Sequence, residues 1–548
     1  MAVTTPITIT RAQALPWILL LAAAWILPGL IGHQPWKPDE AYTFGIILEL
    51  LRGGDWIVPH LAGEALPEEP PLYHLLAAAS ARLFSGVLAP HDGARLFTAL
   101  LMAGTLVFTE RAASELYGRN RGWVSVVLLV SCVGLLMRGH QMIPDLGMLL
   151  GLAVALYGLA LAPRRELAAG LWLGLGLGFV FMCEGLIEVA LLAILALAMG
   201  AFTPWRTRAY LATLGIAAAV ALPWLVVWPW LLYQKSPALF DQWLWIYNLD
   251  RFFGTTETPF AGRADYYVRI ILWHSFPVLP LAAWVAWGAR HSGWGSAGIA
   301  LPLVAFAATL IGLSVAADAR ELYALPLLLP LALLANPAVG TLRRGAANAL
   351  YWFAVMGFTV FLLAGWFYWT ALDLGVPIRL HEHLHRIQPG YTDGPRPLHV
   401  AWAAVLTLAW FALVWNLKRG PERPLLAWAG GMTVVWGVAV ALFQPWADVG
   451  KSYRATIEQL AAAVPKRHVC IAQRNLGGPQ RAMLDYYAKL HTVRDGAPAA
   501  EKCNVLLVQG FARQDLQLPG WTKIWEGARP GDKTEKLRLY QRATGVRP

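Results

Sequence analysis

Long apolar runs dominate the pattern of hydrophobic and polar positions along this chain. About thirteen of them reach the roughly 17–25 residues that a helix needs to cross the hydrocarbon core of a bilayer. The runs lie at 15–32, 94–110, 122–137, 143–162, 168–184, 186–202, 209–231, 268–288, 298–315, 322–338, 348–370, 399–416 and 425–444. The fifth and sixth are nearly continuous and meet at Glu184 and Glu188, which makes this boundary the weakest. The pattern predicts a membrane all-α bundle.

The loops between the runs alternate in charge, and this alternation predicts their sides of the membrane. Every second loop is basic, with pairs such as Arg164 and Arg165 or Arg343 and Arg344. Basic loops stay in the cytoplasm, so we expect the N-terminus there too. The other loops collect acids, above all in the first one, residues 33–92. An odd number of spans then places the C-terminus outside.

Composition agrees with a membrane protein and removes one class of partner. The chain has 548 residues, of which 57% are hydrophobic and 14% charged, and its 27 Trp suit the two membrane interfaces. The formal net charge of +11 is distributed over the short loops between apolar runs. We find no motif that reads nucleic acid, so we expect no nucleic-acid partner.

The first outside loop is longer than a connector and has internal structure. Residues 40–52 and 71–84 have apolar residues at helical spacing. Such helices either lie along the membrane surface with their apolar faces down or pack on the bundle as ordinary loop helices. Two other long outside segments are 232–267, which is rich in aromatic residues, and 371–398, which contains three histidines.

The chain changes character after residue 446. Residues 1–446 form the predicted transmembrane domain, and residues 447–548 form a small soluble α/β domain. We expect helices at 452–464 and 479–490, and strands at 467–473, 503–509, 521–525 and 536–541. Cys470 and Cys503 each fall in a predicted strand, and the sequence leaves open whether they form a disulfide or stay as two buried thiols.

Ionisable residues at the rim of a membrane are costly and are therefore candidates for function. The first cluster, Lys37-Pro38-Asp39-Glu40, follows the first apolar run directly. A carboxylate there could act as a general base toward a hydroxyl or hold a cation. The structural alternative is that Asp39 caps the helix that begins near Glu40.

Three further clusters follow, one later in the same loop and two in other outside loops. Two acids precede a stiff Pro-Pro corner, while the remaining clusters combine acids with cations that could neutralise a phosphate or pair with a neighbouring acid. Helix capping and solvated turns are the structural alternatives. The residues are Glu68, Glu69 and Tyr73 in the first group, Arg138, His140 and Asp145 in the second, and Asp318, Arg320, Glu321 and Tyr323 in the third.

A metal site receives little support from the sequence. His381, His383 and His385 alternate along one segment, but its pattern is helical or irregular and no Cys joins them. We therefore predict no metal ligands, although participation of a divalent cation is left open. No nucleophile motif and no Gly-rich phosphate loop is present.

These residues together resemble a known family. Trp36-Lys37-Pro38-Asp39-Glu40 is followed by Tyr42, by Gly54-Asp55-Trp56-Ile57-Val58-Pro59, and by the acid-rich Pro-Pro-Leu-Tyr corner at 68–73. The pattern is similar to that of the integral-membrane glycosyltransferases of the C class. The nearest groups are the bacterial aminoarabinose (4-amino-4-deoxy-L-arabinose) lipid A transferases and the protein O-mannosyltransferases. Tyr323-Ala324-Leu325-Pro326 resembles a later segment of the first group.

The resemblance implies transfer of a sugar from an undecaprenyl-phosphate carrier to lipid A or another cell-envelope glycan at the periplasmic face of the inner membrane. Asp39 would be the general base or a carboxylate that positions the acceptor, and Asp145 would be the second catalytic acid. The donor, the acceptor and membrane lipids would be the partners, and we expect a monomer. The residues expected to contact substrate are Glu40, Tyr42, Glu68, Glu69, Tyr73, Arg138, His140, Arg320 and Tyr323.

This chain departs from the family pattern at two positions whose cations would suit the lipid phosphate. The aminoarabinose transferases usually have Lys where this chain has Glu69, and Arg where it has Ala41. Arg138, His140 or Arg320 could replace these cations, or the substrates could differ. A protein O-glycosyltransferase and a transporter or flippase of a lipid-linked substrate are the alternative functions. A transporter would favour two related halves, and we find none.

Overall fold

The structure is a computed structural model that describes residues 9–254, 265–392, 394, 396–514 and 517–542. Structural statements below concern these residues. The predicted outside segment 232–267 therefore lies partly beyond them, at 255–264.

Helices form most of the described chain. The first ten are α1 (Arg11–Ile26), α2 (Asp39–Leu51), α3 (Leu72–Leu83), α4 (Pro90–Tyr117), α5 (Gly122–Val130), α6 (Val133–Arg138), α7 (Asp145–Leu161), α8 (Glu166–Cys183), α9 (Leu186–Met199) and α10 (Arg208–Lys235). The next are α11 (Pro237–Asp241), α12 (Arg251–Phe253), α13 (Tyr266–His274), α14 (Val278–Ser292), α15 (Ala297–Val315), α16 (Leu328–Leu334), α17 (Ala338–Thr341), α18 (Arg344–Leu374), α19 (Ile378–Ile387), α20 (Pro397–Asn416), α21 (Arg423–Lys451), α22 (Arg454–Ala463) and α23 (Gly478–Ala488).

Eight helical segments in the described part are long and apolar enough to cross a membrane, and the bent pair α13 and α14 raises this number to nine. Three shorter apolar helices, α1, α7 and α9, accompany them. Three predicted runs are not continuous α-helices, and one of them, 322–338, contains a 3-10 turn followed by the separate helices α16 and α17. The run at 122–137 is divided into α5 and α6, and the run at 268–288 bends by 105°. Pro277 lies at this bend and has no N–H to continue the helix.

The first apolar run is also shorter as a helix than predicted. Helix α1 ends at Ile26 rather than near residue 32. Pro28 follows two residues later, and Gly29 has a φ of +88°, a conformation that favours glycine. The chain after α1 is therefore free to turn inward and to lead into α2.

The first outside loop packs on the bundle and on the C-terminal region. Its two predicted helices are present as α2 and α3, joined by the short strands β1 (His60–Leu61) and β2 (Glu64–Ala65). Most residues of α2 are buried, so it does not lie on the membrane surface with one face down. A Cβ atom on Gly45 would be 2.5 Å from the Cβ of Ala482, which shows how closely α2 approaches α23.

The C-terminal region contains a five-stranded mixed sheet in the order β4-β3-β5-β7-β6. The strands are β3 (Ile471–Arg474), β4 (Thr492–Arg494), β5 (Val505–Phe511), β6 (Trp521–Gly527) and β7 (Glu535–Arg542). β3 pairs in parallel with β4 and β5, and β7 pairs antiparallel with β5 and β6. A disulfide joins Cys470 to Cys503, so the thiol alternative does not hold. Strand β4 is not among the strands predicted from the sequence.

Ion pairs connect this sheet region to the first outside loop. Lys37 Nζ lies 3.3 Å from Asp532 and 3.2 Å from Glu535, and Glu64 pairs with Arg481 at 2.8 Å. Helix α21 continues to Lys451, across the predicted domain boundary at 446 and 447. The C-terminal region is therefore attached both through a continuous helix and through its contacts with the first loop.

Candidate active site

A cavity of about 430 Å³ lies where α2, α7, α8, α9 and α12 meet. One end has polar side chains from the first loop and from the segment before α16. The other end is apolar and is lined by Met148, Leu152, Val180, Leu191, Leu192, Leu195 and Leu313. Pro479 of α23 contributes to the wall as well. The cavity, which we call the site cavity, thus joins a polar chamber to a groove between membrane helices.

Asp39 and Asp145 both line the site cavity. Each is the first residue of its helix and follows a proline, Pro38 or Pro144, which takes the N-cap position. The capping alternative for Asp39 therefore does not hold. Helix N-termini favour negative charge, which suits carboxylates at these positions. Arg138 donates from Nη1 to Oδ2 of Asp39 at 3.1 Å, so this cation reaches the site through Asp39.

Arg251, which the sequence did not single out, is the central cation of the site cavity. It donates from Nη1 to Glu68 Oε1 at 2.6 Å and from Nε to Asp318 Oδ2 at 3.2 Å. It also donates to the hydroxyl of Tyr323. Since its side chain is 30% exposed, the guanidinium remains accessible to a ligand. A lone Arg in a long aromatic segment offers no pattern that would have identified it.

Tyr42 and Glu69 complete the first-loop side of the site cavity. The Tyr42 hydroxyl donates to Glu68, the same carboxylate that accepts from Arg251. Burial raises the pKa of Glu69 well above its ordinary value, and the nearby charges of Glu68 and Asp145 raise it further. This corner therefore combines a carboxyl whose pKa is raised with one that accepts two hydrogen bonds.

The segment before α16 supplies a second cation. Arg320 lines the site cavity, with Nε 3.3 Å from Asp318 Oδ2. Its guanidinium carbon is 5.8 Å from the centre of the Tyr323 ring. The side chain of Arg320 is 59% exposed and is thus less constrained than Arg251.

The break between α8 and α9 adds further acids that were predicted only as a span boundary. Glu184 and Glu188 line the site cavity, and Oε1 of Glu184 has no hydrogen-bond partner in the described part of the chain. Tyr247 and Asn248 also contribute to the wall. Two acids between apolar runs were a usable signal, because a carboxylate at this depth is costly.

Four expected substrate contacts do not line the site cavity, and one of them, Arg138, reaches it only through Asp39. Tyr73 is fully buried in the core. His140 lies between Trp25 and Trp436, and its ring nitrogens contact the carbonyls of Leu136 and Trp25. Glu40 is only 1% exposed, because its carboxylate binds Arg95. The family resemblance and the charged clusters placed these residues at the site, but helix geometry turns Tyr73, His140 and Glu40 into the interior.

The histidine segment does not form a metal site. It is helix α19, and the rings of His381 and His385 are 4.3 Å apart. His383 does not share their side of the helix, since only residues three or four apart do so. Among the described residues, no group of three or more His, Cys, Asp or Glu side chains is arranged to hold a metal.

Sequence comparison gives a consistent set of relatives. The family profile described as dolichyl-phosphate-mannose-protein mannosyltransferase matches residues 68–233. An undecaprenyl phosphate-α-4-amino-4-deoxy-L-arabinose arabinosyl transferase of Pseudomonas fluorescens is 28% identical over 435 residues, 77% of this chain and 73% of the relative. Its counterpart in Sodalis glossinidius is 30% identical over 339 residues, 58% of each chain.

Solved structures share the fold. The chain is similar to ArnT from Cupriavidus metallidurans bound to undecaprenyl phosphate, with a TM-score of 0.70 and 17% identity over 98% of this chain and 100% of the other. The archaeal oligosaccharyltransferase AglB from Archaeoglobus fulgidus aligns with a TM-score of 0.51 and 10% identity, over 91% and 69% of the two chains. At such identities the likeness concerns architecture.

Proposed function

Since this chain belongs to the C-class integral-membrane glycosyltransferases and is a multi-pass protein of the inner membrane, we propose that it transfers a sugar from a polyprenyl-phosphate carrier to a cell-envelope acceptor. The observation that carries the proposal is the site cavity itself. It places Asp39 and Arg251 at the polar end of a groove lined by apolar membrane helices. An isoprenoid chain suits the groove, and a phosphate suits the arginines.

The donor sugar in this proposal is 4-amino-4-deoxy-L-arabinose, as in the names of the sequence relatives. Its ammonium group suits a chamber in which acids outnumber cations. The carboxyl side chains that line the site cavity are Asp39, Glu68, Glu69, Asp145, Glu184, Glu188 and Asp318, against Arg251 and Arg320. Lipid A is the proposed acceptor, in keeping with the family resemblance.

In the proposed reaction, an acceptor oxygen forms a bond to the anomeric carbon while the bond from that carbon to the carrier phosphate breaks. The proton of the acceptor passes to Asp39, acting as the general base. Arg251 and Arg320 stabilise the charge of the departing phosphate. Asp145 and the Tyr42–Glu68 pair orient the sugar.

The proposed topology has thirteen spans, with the N-terminus in the cytoplasm and residues 447–548 in the periplasm. Residues 1–446 form the membrane domain in this division. The Cys470–Cys503 disulfide supports the assignment, because disulfides persist in oxidising compartments. We propose that the protein acts as a monomer.

Purified protein in detergent, incubated with undecaprenyl-phosphate sugars and lipid A, tests this function. We expect the wild type to move labelled aminoarabinose to lipid A, and D39N to be about 1,000-fold slower, within the range for loss of a general base. D55N is the matched control, because Asp55 pairs with Lys235 and does not line the site cavity. A folded wild type inactive with every donor would refute the function, and an active D39N would refute the role of Asp39.

A further inference from the structure

A buried cluster, which we call the Arg95 joint, lies behind the site cavity and consists of Arg95, Glu40 and Asp92. Arg95 is 0% exposed and donates from Nε to Glu40 Oε1 at 2.8 Å and from Nη1 to Asp92 Oδ1 at 2.8 Å. Nη1 also donates to the carbonyl of Leu30 at 3.1 Å. The joint thereby connects the exit of α1, the start of α2 and the first turn of α4.

Glu40 extends the joint to a fourth element, the turn before α7. Its Oε1 accepts from the backbone N–H of Met142 at 3.1 Å, and its Oε2 accepts from that of Trp36 at 3.1 Å. Met142 lies three residues before Asp145, and Glu40 directly follows Asp39. One buried carboxylate therefore binds both chain segments that carry the proposed catalytic acids.

We infer that Arg95 and Glu40 are positioning residues that hold Asp39 and Asp145 in register across the site cavity. The inference rests on the proposed function. Neither side chain touches the site cavity, so both act through the aspartates. Buried ion pairs are weak sources of stability but define geometry when their hydrogen bonds are satisfied. A displacement of about 1 Å at reacting groups lowers rates on the order of 100-fold.

Further hydrogen bonds connect Asp39 to the turn before α7. Arg138, which holds Asp39, also donates from Nη1 to the Gln141 side chain at 3.0 Å. The Gln141 carbonyl in turn accepts from Thr98 of α4 at 3.0 Å. The turn before α7 is thus fixed by Glu40 from one side and by Arg138 and Thr98 from the other.

The double variant E40L/R95M tests the inference, since replacing a buried pair by apolar residues of similar size preserves folding in many proteins. We expect a folded protein with a lower unfolding midpoint, because Asp92 loses its cation. We also expect a KM for the donor within about threefold of wild type and a kcat about 100-fold lower. A role limited to stability would not separate kcat from KM in this way. The double variant R538M/E526L, which removes a pair in the C-terminal sheet, is the control and should keep wild-type kcat.

If the double variant does not fold, the single variant E40Q replaces it in the experiment. Gln retains one oxygen for the Met142 N–H but faces the Trp36 N–H with its amide group. We expect its kcat to be about tenfold lower than that of wild type, with an unchanged KM. A folded E40L/R95M, or in its absence a folded E40Q, with a kcat within threefold of wild type would overturn the inference.

Hydrogen–deuterium exchange separates failure of this inference from failure of the proposed function. Amides of residues 138–145 should exchange at least tenfold faster in E40L/R95M than in wild type, whether or not a donor is known. Unchanged exchange in the folded variant would overturn the inference even with an active wild type. If the wild type were inactive and exchange were faster in the variant, the proposed function would be refuted. The inference that the Arg95 joint holds residues 138–145 in place would still stand.

Discussion

Two glutamates of the first loop, Glu40 and Glu69, show how differently one side chain behaves in two surroundings. Glu40 lies in the Arg95 joint, where it accepts from Arg95 and from two backbone N–H groups. Burial alone would raise the pKa of Glu40, but the Arg95 guanidinium lowers it below its ordinary value. Glu69 lies in the site cavity, where burial and the charge of Glu68 raise its pKa.

The two regions differ in their cations rather than in their acids. Both arginines have acceptors within the chain, but Arg95 is 0% exposed whereas Arg251 is 30% exposed on the cavity wall. A buried pair whose hydrogen bonds are all satisfied fixes the geometry of the chain. Acids beside an accessible cation form a site that can bind a ligand. Three substitutions test this difference.

Removing the cation of the site cavity should have the largest effect. We expect R251A to lower kcat/KM about 100-fold, because a charged group that binds the donor phosphate is lost. The unfolding midpoint should change little, since the side chain is partly exposed. R269A, which removes an exposed Arg paired with Asp265, is the matched control for charge. Equal kcat/KM for R251A and R269A would contradict the difference between the two arginines.

Removing the charge of Glu40 should have the next largest effect, on stability. We expect E40Q to lower the free energy of unfolding by about 2 kcal/mol at pH 7, because Arg95 loses a buried partner. A lowered pKa means that the wild-type advantage exists above the ordinary value of 4.5 and is lost as pH falls through the folded-state pKa. Thermal unfolding between pH 3 and 8 measures this, and a difference independent of pH would contradict the pairing.

Removing the charge of Glu69 should have the smallest effect, with the opposite sign. Because its pKa is raised, ionisation above the ordinary value of 4.5 destabilises the folded state. We expect E69Q to gain about 1 kcal/mol over wild type at pH 8 and nothing at pH 4. E49Q is a control from the same loop, since Glu49 binds the Gly63 N–H at an exposed position. A loss of stability at pH 8 would show that Glu69 has a cation partner.

Much of the fold could be read from local patterns. Helices α2 and α3 and the strands β3, β5, β6 and β7 agree with their predicted positions within a few residues, since apolar periodicity is a local property. Strand β4 was not predicted, because it has only three residues. The bend between α13 and α14 was not predicted, because an apolar run has the same composition whether it is straight or bent.

The site was only partly predictable. Proline-flanked acids such as Asp39 and Asp145 were identified, and both line the site cavity. Arg251 was not, because its partners Glu68 and Asp318 are distant in sequence. Conversely, Tyr73 was expected at the site from the family resemblance, and His140 from its cluster with Arg138 and Asp145, although each side chain points into the core.

The sequence by itself determined the membrane character of this protein, the order of its helices and the acids at their outer ends, because hydrophobicity and turn chemistry act over short stretches of chain. Tertiary structure alone decided which acid meets which cation. Glu40 and Glu69 are both glutamates near a helix start, yet one reaches Arg95 of α4 and the other lies near Arg251 of α12. Pairing depends on distances that only the packed helices establish, and the pKa of a buried group follows from that pairing.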